Sequence, residues 1–343
     1  MTSHPASPFV PPGRWAVLVV SLVGLFALSG PVRGQSAAPV AAPLPTGNSS
    51  SPSASIPATP PLTDAQKAVL QGKFATFVTQ FTASTGIRLV PIPAGTFLMG
   101  SPADEMLPAG ARLDDPIPVV TADGRTIYMV GLPSEGPQTK VTLTKDFFLE
   151  ATDVTQGQWT AVMGNNPSHF KGDPLLPVEM VTWGEAMVFC QKLTERERSA
   201  GRLPEGYTFT LPTEAQWEYA CRAGTKEPYG GDLDATAWYA KNSGRTPHPV
   251  YTKAPNAWGL YDMHGNVWQW CDWIGAYPGG AVTDPAGLAA GFVRGGHWNS
   301  VATSCRSASR GVRPFAPDYH NEFTGFRLAL SAVREASAGS KGK

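Results

Sequence analysis

The chain has 343 residues, with 27 Lys plus Arg against 27 Asp plus Glu and only 16% charged residues. That length suits one large domain or two of ordinary size, and the charge balance excludes a basic footprint for nucleic acid and a polybasic patch for a membrane surface. With 36 Gly and 33 Pro, turns and loops are favoured over helical bundles and coiled coils.

At the N-terminus, Arg14 precedes an uncharged apolar run from Trp15 to Leu28, followed by Ser29, Gly30 and Pro31. A helix of that length rises about 21 Å, short of the ~30 Å bilayer core, and small residues follow it. This is the anatomy of a secretory signal peptide over 1–34, with an uncleaved anchor as the alternative. The expected location is secreted, periplasmic or cell-surface, with no membrane attachment after cleavage. Residues 31–62 contain eight Pro, no aromatic residue and one charge, Arg33. Such a stretch buries too little apolar surface to offset its ordering entropy, so 35–62 is read as a linker.

Thr63 and Gln66 have the spacing of a capping box, and Val69, Leu70, Phe74, Phe77, Val78 and Phe81 follow at helical spacing. They predict an amphipathic helix within 63–86, ended by Gly86. Strand-like pieces come next, at 88–92, 96–99, 140–143 and 147–150. The loop between the second and third has little pattern, apart from a short strand candidate at 127–130. Thr155, Thr182 and Thr213 each precede a Gln or Glu three residues on, and so open three more helices. Beyond Gly224 the sequence predicts no helix, only short aromatic-rich pieces divided by Gly, Asn and Pro. The tail 333–343 has no pattern.

The six histidines, His4, His169, His248, His264, His297 and His320, are scattered singly, and there is no phosphate loop, nucleophile elbow or paired Cys-x-x-Cys. The four cysteines are Cys190, Cys221, Cys271 and Cys305. An even number in an exported chain favours disulfides. Four cysteines allow three pairings, among which sequence does not choose; Cys190–Cys221 with Cys271–Cys305 is only a slight lean. In the stretch Asn256 to Trp270, Asp262 and Gln269 are oxygen donors separated by carbonyls free to turn toward a hard cation.

Several segments together resemble the formylglycine-generating enzyme (sulfatase-modifying factor) family. They are Pro93–Ser101, Asp153–Gln156, Asn166–Ser168, Pro177–Val178 with Val181–Trp183, Leu211–Tyr219, Asn256–Trp270, Arg294–Gly296, Cys305–Arg306 and Gly325–Arg327, running in the family's order. The resemblance implies one compact α+β domain over 87–332, related to the C-type lectin fold and modest in regular structure. It implies oxygen-dependent conversion of a sulfatase Cys to formylglycine at a copper(I) ion held by two thiolates, a soft-donor site. The second thiolate position is Cys305. The first is Ser300, a hard hydroxyl, and His297 stands where the family usually has Ser. One thiolate cannot supply a two-sulfur geometry, so copper is not expected, although Cys305 with His297 is an alternative pair. The resemblance also implies a structural calcium ion on Asp262, Gly265, Val267 and Gln269, weakened because Gln269 replaces an acidic residue.

Two functions remain in view: a non-catalytic binding or accessory module for an exported protein, peptide or glycan, and an active oxidase that uses Cys305. An iron-dependent sulfoxide synthase is rejected, because 63–85 is too short for its helical ligand domain and has no His.

Overall fold

In the computed structural model, residues 62–102, 105, 116–120, 126–130, 135–272, 275, 277–285, 292–311 and 318–333 are described. The expected signal peptide, nearly all of the expected linker and the tail beyond 333 lie outside them. The described residues all fall in one unit, Ala54–Lys343.

Each predicted capping box forms. Thr63, Thr155, Thr182 and Thr213 each accept a hydrogen bond from the backbone N–H three residues on, and the Gln or Glu there reaches back to the cap. They open helices α1 (Asp64–Val69), α3 (Gln156–Met163), α4 (Trp183–Ser199) and α5 (Glu214–Arg222). One expectation needs correction: the single N-terminal helix is two, because Gly72 at φ +60° breaks it and α2 (Lys73–Thr85) starts afresh. Gly86 and Gly164 end α2 and α3 in the left-handed conformation, as their positions predict. A four-residue helix, α6 (Leu233–Thr236), lies beyond Gly224, where none was expected; its cap is Asp232, with no Glu or Gln at the third position to signal it.

The strands are β1 (Leu89–Ile92), β2 (Gly95–Met99), β3 (Pro116–Val120), β4 (Thr126–Val130), β5 (Thr139–Leu143), β6 (Phe147–Glu150) and β7 (Tyr207–Thr210). They continue with β8 (Ala237–Trp238), β9 (His264–Gly265), β10 (Trp268–Cys271), β11 (Ala281–Thr283), β12 (Phe292–Arg294), β13 (Thr324–Gly325) and β14 (Ala329–Ala332). The central sheet has the order β1-β6-β14-β7, with antiparallel neighbours throughout. Alternation along its strands divides the core in two. Leu89, Phe148, Phe209 and Leu330 face one way, into a cluster with Phe77 and Phe81 of α2, Trp159 of α3 and Phe189 of α4. Val90, Phe147, Leu149 and Ala329 face the other way, against Trp217 of α5, Met99 of β2 and Val141 of β5. Each such aromatic or branched side chain contributes about 1.5–3 kcal/mol on burial, so the N-terminal helices are part of the domain's core.

Both outer strands of this sheet are capped by side chains. Gln66 Nε2 donates to the Pro91 and Trp258 carbonyls at the β1 edge, and the Phe209 N–H of β7 donates to Thr194 Oγ1 of α4. These bonds satisfy groups that would otherwise template pairing with another chain.

Candidate functional site

Strand β12 ends in Arg294 and runs into Gly295 and Gly296, both at positive φ. A Cβ at Gly296 would lie 2.5 Å from Cys305 Sγ, so only glycine lets the two backbones approach there. The chain then makes a tight turn through His297 to Ser300 and a 3₁₀ turn at Ala302–Cys305. In that first turn the Ser300 N–H donates to the His297 carbonyl, and Ser300 Oγ accepts the His297 N–H at 3.0 Å. Ser300 is therefore a turn-closing residue.

Cys305 is fully buried beside Ala237 and Tyr239, and burial pushes its thiol up to about 12. The His297 ring packs on Phe323 at 4.4 Å and more loosely on Trp268 and Trp298, while its Nδ1 accepts the Asn299 N–H. Burial pushes its pKa down to about 3, so the ring is neutral. The donor set of this turn is one protonated thiol, one hydroxyl closing a turn and one imidazole with Nδ1 engaged. It does not fit a two-thiolate copper(I) centre.

His264, on β9, is the clamp beneath this turn. Its Nδ1–H donates to the Cys305 carbonyl at 2.7 Å and its Nε2 accepts the Gly230 N–H at 3.0 Å, an arrangement that requires the neutral ring. Burial drives its pKa down to about 4. Because the folded value lies below the unfolded one, this residue's contribution is intact above about pH 6.5 and is lost as pH falls toward 4. In thermal melts the melting-temperature advantage of the parent over His264→Asn should therefore shrink as pH falls from 6.5 toward 4. Equal slopes in the two proteins would contradict this role.

The expected calcium segment folds inward. Asp262 at φ +54°, Gly265 at +76° and Asn266 at +59° wind it so tightly that a Cβ on Gly265 would lie 2.1 Å from the Trp238 carbonyl oxygen. The Gly265 N–H donates to the Gly295 carbonyl, which ties the segment to the β12 turn, and Val267 is buried. The structure does bring Asp262 and Gln269 together, since Gln269 Nε2 donates to the Asp262 carbonyl at 2.7 Å. Yet Gln269 Oε1 accepts Trp217 Nε1–H and Arg327 Nε–H, each at 2.6 Å. The oxygen expected to face a bound cation faces the protein's own guanidinium. The donor set does not fit calcium, and no group of three or more His, Cys, Asp or Glu among the described residues is arranged to hold a metal ion.

The expected disulfides are also corrected. All four cysteines are buried free thiols. Cys190 lies in the core cluster on one face of the central sheet, Cys221 and Cys271 in the cluster on the other, and Cys305 in a third. Cys221 Sγ lies 3.7 Å from His264 Nε2, and that same ring holds the Cys305 carbonyl, so an imidazole stands where a partner sulfur would be needed.

Charged groups that the sequence reading missed surround this region. Glu218 on α5 accepts Gly100 N–H and pairs with Arg222 and Arg294, while Glu214 pairs with Arg310 at 2.6 Å. Arg306 pairs with Glu135 at 2.8 Å. The signal for the first two was present: Glu214, Glu218 and Arg222 recur at four-residue spacing along α5, between Ala215, Trp217, Tyr219, Ala220 and Cys221. Arg327 sits among the Glu150 and Tyr261 carbonyls and Gln269, and forms a longer pair with Asp153 at 3.9 Å.

Residues 73–332 match the model of the family described as sulfatase-modifying factor enzyme 1-like domain. The chain is 30% identical over 303 residues to formylglycine-generating enzyme of Mus musculus, covering 73% of this chain and 76% of that one. It is 34% identical over 178 residues to the chaperone protein LppX of Paenibacillus barcinonensis, covering 38% of this chain and 63% of the chaperone. Against inactive C-alpha-formylglycine-generating enzyme 2 of Mus musculus the identity is 30% over 179 residues, 46% of this chain and 50% of the other. Among solved structures, Treponema denticola variable protein 1 superposes with a TM-score of 0.57 at 29% identity, covering 71% of this chain and 94% of that one.

Proposed function

This chain belongs to the sulfatase-modifying factor enzyme 1-like family, and from that premise we propose that it is an exported, non-catalytic member acting as a binding or accessory module. The observation that carries the reading is at Ser300. The family chemistry needs two thiolates on copper(I); here the first position is a hydroxyl that closes its own turn, and the second is a buried thiol held neutral. Sulfur cannot be replaced there by a hard oxygen without losing the preference for the soft ion.

Two relatives lend support. One is named a chaperone and another an inactive form of the enzyme, so the fold serves members without the oxidase reaction. In place of reaction chemistry, the turn presents the half-buried rings of Trp268, His297 and Phe323 beside Trp298. Aromatic faces of this kind suit recognition of a peptide from an exported partner.

The test is incubation of the purified protein with a sulfatase-motif peptide, copper(I) and oxygen, followed by mass spectrometry for conversion of Cys to aldehyde. No conversion is expected. Conversion that disappears in Cys305→Ser would overturn the reading and establish an oxidase working from one thiolate. Ser300→Cys is the companion variant: it restores the second sulfur, and copper(I) binding should rise in it.

A further inference from the structure

On the far side of the central sheet from α2 and α4, the surface opens into a cleft of about 320 Å³. Its origin is the strand alternation. Phe209 and Leu330 enter the first core cluster, so Thr210 and Ser331 of the paired strands β7 and β14 face the opposite way, while Thr208 lines the rim with its hydroxyl engaged by Thr194 of α4 at 3.3 Å. There the start of α5 and the turn between β5 and β6 cover the sheet only in part, leaving these residues on one wall and Leu143 and Phe147 among the others.

Charge and hydrogen-bonding capacity specify what this cleft accepts. Among the described lining residues Asp146, Asp272 and Asp284 stand with one cationic residue, Lys145, so carboxylates are in excess there. Two of them are held in place by backbone. Asp146 Oδ1 accepts the Ala94 N–H at 2.8 Å, and Asp284 accepts the N–H and hydroxyl of Thr144. Carboxylates fixed in this way lose little freedom when a ligand arrives. Ser331 Oγ accepts from Gln216 Nε2 at 3.2 Å, and Gln216 Oε1 accepts the Thr213 N–H, so the Ser331 hydroxyl proton is left to donate into the cleft. Hydroxyls able to donate and accept match the hydroxyls of a polyol, and the carboxylate excess matches an ammonium group and opposes an anion. The volume is at the small end of the ~300–1,000 Å³ range of small-molecule sites, which suits a single ring better than a peptide strand.

We propose that this cleft is a binding site for an amino sugar. It shares no lining residue with the turn from His297 to Cys305, so this assignment and the non-catalytic reading stand or fall separately.

The test uses one ring carrying three charges. The full protein is titrated with D-glucosamine, D-glucose and D-glucuronate and followed by calorimetry and ligand-observed NMR. Glucosamine should bind with a roughly millimolar Kd, as a ligand of so few atoms would. Glucose should bind about fivefold more weakly and glucuronate not measurably. Asp146→Asn keeps the acceptor for Ala94 N–H and removes the charge, so it should weaken glucosamine about fivefold and leave glucose unchanged. Thr210→Val, the second variant, should weaken both neutral and cationic sugars. Melting temperatures within a few degrees of the parent confirm that both variants are folded. A β-1,4-linked glucosamine trimer separates the two sources: tighter binding than the monomer supports a glycan ligand, and weaker binding supports the free sugar. Equal binding of glucosamine and glucuronate, no binding of glucosamine at tens of millimolar, or an unchanged glucosamine titration in folded Asp146→Asn would overturn the assignment.

Discussion

Arg327→Met should leave the domain insoluble or lower its melting temperature by about 10 °C or more. The guanidinium donates to Gln269 Oε1 at 2.6 Å and to the carbonyls of Tyr261 and Glu150 at 2.8 and 2.9 Å, all of them buried. Methionine fills much of the same volume and donates nothing. Three acceptors then lose a partner, and the buried carboxyls of Asp153, Glu150 and Asp262 lose the cation that favours their charged forms. Breaking a buried pair from one side costs about 3–5 kcal/mol, a large share of the roughly 5–15 kcal/mol that holds a domain folded. Arg327→Lys should recover only part of the loss, since an ammonium cannot reproduce the planar fork. Circular dichroism melts check the series, and a Met variant melting within about 3 °C of the parent would show that Arg327 does not hold these buried groups together.

Glu150→Gln should do the opposite, and in a pH-dependent way. Glu150 is fully buried, and burial raises its pKa to about 8 against the pull of Arg327. The folded protein therefore holds a proton there that the unfolded chain releases near pH 4.5. The sign follows directly: stability is fully present below the unfolded value and declines as pH rises through about 8. Glutamine mimics the protonated acid without the titration. At pH 8 the variant should be more stable by roughly 2–4 kcal/mol, a gain of about 5–10 °C in melting temperature for a domain of this size. At pH 4.5 the two should melt together. Between about pH 4.5 and 6.5 this loss and the gain from His264 oppose each other, so the two groups together predict a broad optimum there and a decline toward pH 8. A melting difference between Glu150→Gln and parent that stays constant from pH 4.5 to 8 would show that Glu150 does not titrate in this way.

How much could be read from the chain depended on the range of each signal. The four Thr caps, with their Gln or Glu partners three residues on, were legible because cap and partner share a turn. Gly86 and Gly164 were legible for the same reason. The break at Gly72 was not, since an apolar stripe continues across it and only the observed φ reveals the interruption. Ser300 stood out by its position within the family motifs, but its hydroxyl's bond to the His297 N–H needed the turn itself. Gln269 shows the limit most clearly. As a type it is an oxygen donor in a segment suited to calcium, and only the arrival of Trp217 and Arg327 from elsewhere in the chain commits that oxygen to the protein.

By itself the sequence determined the family, through short motifs that recur in order, and the four capped helix starts, because each motif and each cap is a property of residues close together along the chain. Tertiary structure alone decided which polar groups meet. It left Cys190, Cys305 and the Cys221 and Cys271 pair in three different cores, all four as free thiols, and it set Arg327 against a carbonyl 177 residues away. It also turned one face of the β7–β14 pair into a polar cleft. The physical reason is that burial and charge pairing are settled by three-dimensional neighbours, and those depend on how whole layers pack, which no local pattern encodes.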